Sequence, residues 1–170
     1  MSEILDKYPF LEDHGIYTYA QPGDDFVGDV PPGWQSVFFE MCEEIKTFLE
    51  SEKVDPKLLV FDQVKEKFGE LRIYHHFNED EEDGGQDVPA FVKESVSCMI
   101  DSCCSKTKDM CFKCGKVANW LSGGWVLPYC TNCANEWNDA ANQKYGKNDP
   151  LEKSFHRIRH EIPSQSERLP

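Results

Sequence analysis

The stretch Cys111-Phe-Lys-Cys114-Gly115-Lys-Val-Ala-Asn-Trp120-Leu-Ser-Gly123-Gly124-Trp125-Val-Leu-Pro128-Tyr-Cys130-Thr-Asn-Cys133 decides the reading of this chain. It holds two Cys-x2-Cys pairs separated by fifteen residues, 115 to 129. That spacing falls in the window of a four-cysteine zinc site. Two thiolates three positions apart on a tight turn grip one ion, and two such turns complete a tetrahedron with Zn–S distances of about 2.3 Å. Gly115 stands where the first turn needs a residue free to take positive φ. Gly123-Gly124 supplies a hairpin turn, with Trp120-Leu121 and Trp125-Val126-Leu127 as strand material on either side. A helix is expected from Thr131 to about Tyr145, stopped by Gly146. Knuckle, hairpin and then a helix carrying the last ligands is the order of a treble clef.

Four cysteines, Cys111, Cys114, Cys130 and Cys133, close a zinc coordination shell. One structural Zn²⁺ is therefore the expected cofactor, because a catalytic zinc keeps an open position. A deaminase site needs His-x-Glu upstream and Pro directly before the second cysteine pair. Here Pro128 is displaced by one residue, and no His-x-Glu occurs. A ββα-metal nuclease needs histidines around the knuckles, and none lies between Cys111 and Cys133.

Upstream, Val37, Met41, Ile45 and Phe48 recur at three- and four-residue steps, with Phe38, Cys42 and Leu49 widening the stripe. This predicts an amphipathic helix from about Trp34 to Ser51. From Leu58 to Phe77 the apolar residues alternate, and Phe68-Gly69 divides two runs, predicting a β-hairpin. A second helix is predicted from Val88 to Lys106, with Pro89 in its first turn. Residues 1 to 33 are punctuated by prolines and glycines and read as an irregular arm packed on the core through its aromatics. The fold class is α+β: a small helix and β-hairpin body with a C-terminal, treble-clef-like zinc module of four cysteines. The expected divisions are 1–108 (acidic body with arm), 109–146 (zinc module) and 147–170 (polar, partly basic tail).

The chain has 170 residues, 39% of them hydrophobic, and a formal charge of -13. That supports a hydrophobic core and argues against a wholly nucleic-acid-binding chain. Residues 1 to 100 carry a net -15 and residues 101 to 170 a net +2. The run Glu79-Asp80-Glu81-Glu82-Asp83 reads as a solvated acidic loop and a candidate partner-binding segment. From Asp109 to Ala140 only Lys113 and Lys116 oppose Asp109, Glu136 and Asp139, too little positive charge for a phosphate-binding finger. The candidate nucleic-acid contacts are Lys153, Arg157 and Arg159, for which charge balance with the acidic half is the blander role. No apolar run approaches the roughly 20 residues of a membrane span. The N-terminus has neither the basic nor the apolar region of an export signal, so a cytoplasmic location is expected. In a reducing cytosol the cysteines are thiols or metal ligands. Cys42, Cys98, Cys103 and Cys104 are read as small buried hydrophobes. His75 and His76 lie on opposite faces of a strand. Glu66, Glu70 and Arg72 around the turn are expected to form surface ion pairs.

Val64-Lys65-Glu66-Lys67-Phe68-Gly69-Glu70-Leu71-Arg72 resembles a K-x-K-F-G-x-L-R segment found in small uncharacterised bacteriophage and prophage proteins. In those proteins a Pro-Gly-Trp, here Pro32-Gly33-Trp34, precedes a helix. A Cys-x2-Cys-Gly follows, and then a Gly-Trp, here Gly124-Trp125, ahead of the second Cys-x2-Cys. The resemblance covers roughly residues 31 to 137 and implies a phage origin, in the cytoplasm of a bacterial host, without supplying catalytic residues.

Three functions are compatible with these features. The first is a non-enzymatic, zinc-stabilised protein-binding module that inhibits or redirects a host defence or nucleic-acid-processing protein with a basic surface, by acidic mimicry of nucleic acid in its sharpest form. The second is a nucleic-acid-binding or transcription-regulating zinc protein using the basic tail. The third is a metal-dependent hydrolase with a site near His75 and His76. Acidic charge steering association to a basic surface favours the first.

Overall fold

The computed structural model describes residues 3–11, 30–79 and 87–158. Most of the arm, Asp80 to Gln86 and the last twelve residues lie outside the described part. The chain is α+β, as its periodicities predict. Helix α1 spans Glu3–Lys7 and α2 spans Gln35–Ser51. Strands β1, Leu59–Lys67, and β2, Glu70–Phe77, form an antiparallel hairpin, with a bulge between Phe61 and Gln63. Helix α3 covers Ala90–Thr107, with Pro89 at the N-cap one position before the helix rather than inside its first turn. The C-terminal half holds β3 (Trp120–Ser122), β4 (Pro128–Tyr129), α4 (Thr131–Tyr145) and β5 (Phe155–Arg157).

The body core is made by the stripe of α2 (Phe38, Met41, Cys42, Ile45 and Leu49), the inner face of the hairpin (Phe61, Val64, Leu71) and the inner face of α3 (Val92, Val96, Ile100). The arm contributes Tyr8, Phe10 and Leu11, with the Phe10 ring 5.2 Å from that of Phe61. Helix α3 is fastened to β2 by Thr107 Oγ1, which is fully buried, accepts from the Leu71 N–H at 3.0 Å and donates to the Cys104 carbonyl.

The hairpin turn is unusual. Phe68 and Gly69 have φ of +55° and +82°, the left-handed pair of a type I′ turn. Asparagine or glycine ordinarily fills the first position. Phenylalanine there costs about 1–2 kcal/mol, yet its ring is 73% exposed and gains little burial in return.

Two glycines join the halves. Gly33 donates its N–H to the Phe112 carbonyl at 3.0 Å. A Cβ at Gly33 would lie 2.0 Å from the Cys111 carbonyl oxygen and 2.6 Å from the Gly115 nitrogen. From the other side, a Cβ at Gly115, which has φ +74°, would lie 2.7 Å from the Gly33 carbonyl oxygen. Beside them Trp34, fully buried, donates its Nε1 to the Met110 carbonyl at 3.1 Å and meets Phe112 edge-on. Near the turn, Trp125 donates its indole N–H to Glu66 at 2.6 Å, and a Cβ at Gly69 would meet the Val126 carbonyl at 3.3 Å. Gly33-Trp34, Gly69 and Trp125-Val126 are thus segments that touch across the two halves.

The segment after Asp149-Pro150, expected to be a polar tail, is in part structural. Asn138 and Asn142 each donate to the Asp149 carbonyl and turn the chain back on α4. Strand β5 then pairs with β3, making a three-stranded sheet in the order β4-β3-β5. Phe155 is buried there between Tyr129 and Trp137, whose rings it meets edge-on at 5.5 and 5.4 Å. Conversely, Trp125-Val126-Leu127 is not strand. Ser122 Oγ donates to the Trp125 carbonyl and accepts from the Leu127 N–H, which closes residues 122–127 as a loop and leaves only Pro128–Tyr129 to pair.

Replacing Gly33 with alanine should therefore destabilise the protein by more than about 2 kcal/mol, since backbone on both sides prevents relief. Gly124→Ala, at φ +80° but with nothing within 4 Å, should lose only about 1–2 kcal/mol of conformational energy. Urea unfolding of both metal-loaded variants checks the order.

Candidate metal centre

The first knuckle is shaped by backbone. Cys111 N–H donates to the Lys116 carbonyl at 2.6 Å, Gly115 N–H to the Cys111 carbonyl at 2.9 Å, and Met110 bridges Val117. Phe112 N–H donates to the Pro128 carbonyl at 2.7 Å, locking this knuckle to β4. The second pair sits at the start of α4. Cys130 is its N-cap, with extended backbone, and its sulfur accepts from the Cys133 N–H. Ion pairing of Lys113 with Glu136 at 2.9 Å ties the first knuckle to α4 on the outside.

The result is convergence of all four sulfurs within 4.8 Å of one another. Cys114 Sγ lies 3.6 Å from both Cys130 Sγ and Cys133 Sγ. A tetrahedron with Zn–S bonds of about 2.3 Å has sulfur–sulfur edges of about 3.8 Å, so the thiols already stand nearly at coordination distance. Cys111, Cys130 and Cys133 are buried and Cys114 is exposed. The Lys116 backbone N–H aimed at Cys114 pulls its thiol down to about 7. Burial pushes Cys111 and Cys133 the other way. Cys111 and Cys133 are thus poorly placed to ionise without a cation, and a divalent ion would hold all four as thiolates. Residues, distances and donor chemistry fit one structural zinc. With four sulfurs around it, the ion would have no open position and would supply cross-linking rather than reaction chemistry.

The other sequence-predicted residues do not join this cluster. Glu79 accepts from the Val88 N–H at 2.9 Å and pairs with Lys93 at 2.7 Å, anchoring the entry to α3. Asp80, Glu81, Glu82 and Asp83 lie outside the described residues. Lys153 pairs with Asp149 at 2.7 Å, Arg157 is exposed on β5, and Arg159 lies outside the described residues. His75 hydrogen-bonds Ser97 Oγ at 3.2 Å and is half-buried, whereas His76, on the opposite face, pairs with Asp62 at 2.9 Å. Among the described residues no other group of three or more His, Cys, Asp or Glu side chains converges. Glu70 pairs with both Arg72 and Lys108, as a surface ion-pair reading of the turn expects.

The remaining cysteines divide. Cys42 and Cys103 are buried, and burial raises both thiols, Cys103 to about 12. Cys104 is half-buried, with its thiol pushed up to about 11. Cys98 is exposed, contrary to its reading as a core residue, because α3 shows a different face one turn before Cys103. Sequence reasoning about the metal missed Gly33 and Trp34, which support the knuckle from a distant segment, and Phe155, which supports it from behind.

Comparison with known protein families, curated proteins and solved structures finds no match to this chain. No helix among the described residues is long and apolar enough to cross a membrane.

Cys114→Ser or Cys130→Ser should abolish stoichiometric zinc binding and unfold at least residues 109–158. Metal analysis and near-ultraviolet circular dichroism would report both losses, and an unchanged thermal melt in both variants would refute a structural role. A separate outcome concerns pH. Burial lowers the His75 pKa, opposed by Asp101 and Asp62. The unfolded state therefore takes up the His75 proton first, and stability should fall as pH drops below about 6.5. A His75→Gln variant should show a shallower loss in melts between neutral and mildly acidic pH.

Proposed function

We propose that this chain is a non-enzymatic, zinc-stabilised protein-binding module, of phage origin, that binds and inhibits or redirects a host defence or nucleic-acid-processing protein through a basic surface of that protein. The observation that carries the reading is the groove between α2 and α3. Its floor is apolar, from Phe48 and Met99, with Phe91 at its edge, and its rim is acidic, from Glu43, Glu44 and Glu94. Two hollows of about 540 and 430 Å³ meet at Met99 and Glu44. Glu43 is engaged by Lys7 and Tyr8, while Glu44 and Glu94 have no ion pair among the described residues.

Carboxylates around an apolar floor suit a basic amphipathic segment. The charges speed encounter, and the floor supplies the apolar contact that holds the complex. Phe91, more than half exposed at the groove's edge, is a ready anchor. The 79–83 run adds negative charge to the chain, and nucleic-acid mimicry is the form the binding takes if the partner's surface normally holds phosphates. The zinc would act only by holding the fold.

The partner, once recovered from host cells by cross-linking and identified, should bind with a dissociation constant that rises steeply with salt and should release its nucleic acid when this protein binds. Glu44→Lys combined with Glu94→Lys should slow association at least about tenfold at low salt, with zinc content unchanged. A salt-independent complex that leaves nucleic-acid binding intact would sink the proposal.

A further inference from the structure

The outward face of the β1–β2 hairpin has the opposite character from the α2–α3 groove. Its register places Gln63 beside Tyr74, Lys65 beside Arg72 and Lys67 beside Glu70 on that face. Lys65 Nζ lies 4.9 Å from the centre of the Tyr74 ring, and Lys67 Nζ lies 5.5 Å from that of Phe68 at the turn. Neither lysine has a carboxylate partner among the described residues. The carboxylates nearby are occupied. Glu66 accepts from the Gly69 N–H and the Trp125 indole, and Glu70 is shared by Arg72 and Lys108. A cleft of about 360 Å³ opens alongside, between Arg72, Tyr74 and Lys108, with Asp101 on its far wall. Arg72 Nε is a buried donor without a partner. Lys65, Lys67, Arg72 and Lys108 thus stand against Glu66, Glu70 and Asp101, a local surplus of one cation in a chain of net charge -13.

We propose that this face, from Tyr74 through Lys65, Lys67 and Arg72 to Phe68, binds single-stranded nucleic acid. From Tyr74 to the turn the strands rise about 16 Å, enough for a few nucleotides lying along the hairpin. An exposed ring at either end with cations between supplies the elements of such a site: bases stack on the rings and phosphates meet the lysines. An acidic peptide would use the cations but has no use for the rings. Phe68 is the sharpest sign. It holds a left-handed backbone that asparagine would tolerate better, and it exposes most of its ring. A residue kept against local stability, and not buried, is kept for what its surface contacts.

The test is fluorescence anisotropy with labelled short oligothymidylate and oligouridylate, using the zinc-loaded full chain at low and high salt. Binding at low salt that weakens with salt is expected. Lys65→Glu with Lys67→Glu should lower affinity at least about tenfold and flatten the salt dependence. Phe68→Asn should raise the melting temperature, because it relieves the turn, while lowering affinity roughly tenfold through loss of stacking. A charge-matched control on and just after α4, Lys144→Glu with Lys147→Glu, should leave affinity unchanged. No binding at low salt would overturn the proposal. So would equal loss in the control pair, indifference to Phe68→Asn, or displacement of the oligonucleotide by polyglutamate as readily as by unlabelled oligonucleotide.

Discussion

The C-terminal half depends on one constraint: four thiols that must share one point. Its buried cluster is Cys111, Tyr129, Cys130, Cys133, Ala134 and Phe155, so half of it is ligand cysteine. Tyr129, Ala134 and Phe155, even with the partly buried Phe112, Trp120, Leu127 and Leu151 packed on them, are a small apolar cluster to hold two knuckles, a three-stranded sheet and a helix against chain entropy. A divalent ion replaces the missing core with bonds. It also resolves the electrostatic difficulty, because buried thiols crowded together resist ionisation until a cation arrives.

That constraint reaches into the body. The knuckle presents backbone, the Cys111 carbonyl and the Gly115 N–H, to Gly33, and this close contact sits directly before α2. Trp34 and Phe112 fill the corner, and Met110 and Phe112 pack on the larger core as well as carrying the knuckle. The expected division after residue 108 therefore separates segments that share packing. A metal-free knuckle would lose the shape that Gly33 fits, so metal loss should be felt in the α2 region as well as locally.

Much of this was legible in the sequence because the signals were local. The stripe of Val37, Met41, Ile45 and Phe48 gives α2, alternation around Phe68-Gly69 gives the hairpin, and Gly146, observed at φ +61°, ends α4. The four ligands follow from spacing alone. What was not legible depended on distance along the chain. Strand β5 has one buried residue, Phe155, among polar neighbours, and its strand character comes from pairing with β3. Gly33 reads as loop punctuation until the knuckle is placed against it. Phe68 reads with Gly69 as the divide between two strands, but its own positive φ and its exposed ring show only in the structure. Charge was similarly misleading as a regional total. Dividing the chain at residue 100 suggests an acidic half and a near-neutral half, but the fold sorts charge by face. Carboxylates rim the α2–α3 groove, while lysines and Arg72 line the outer hairpin within the same acidic half.

The account stands on the metal being enclosed by sulfur alone. Zinc K-edge X-ray absorption on protein purified without added metal tests this most directly. The prediction is one zinc per chain with a first shell of four sulfurs at about 2.3 Å and no nitrogen or oxygen neighbour. A shell containing a light-atom ligand, or protein that folds fully with no bound metal, would contradict it.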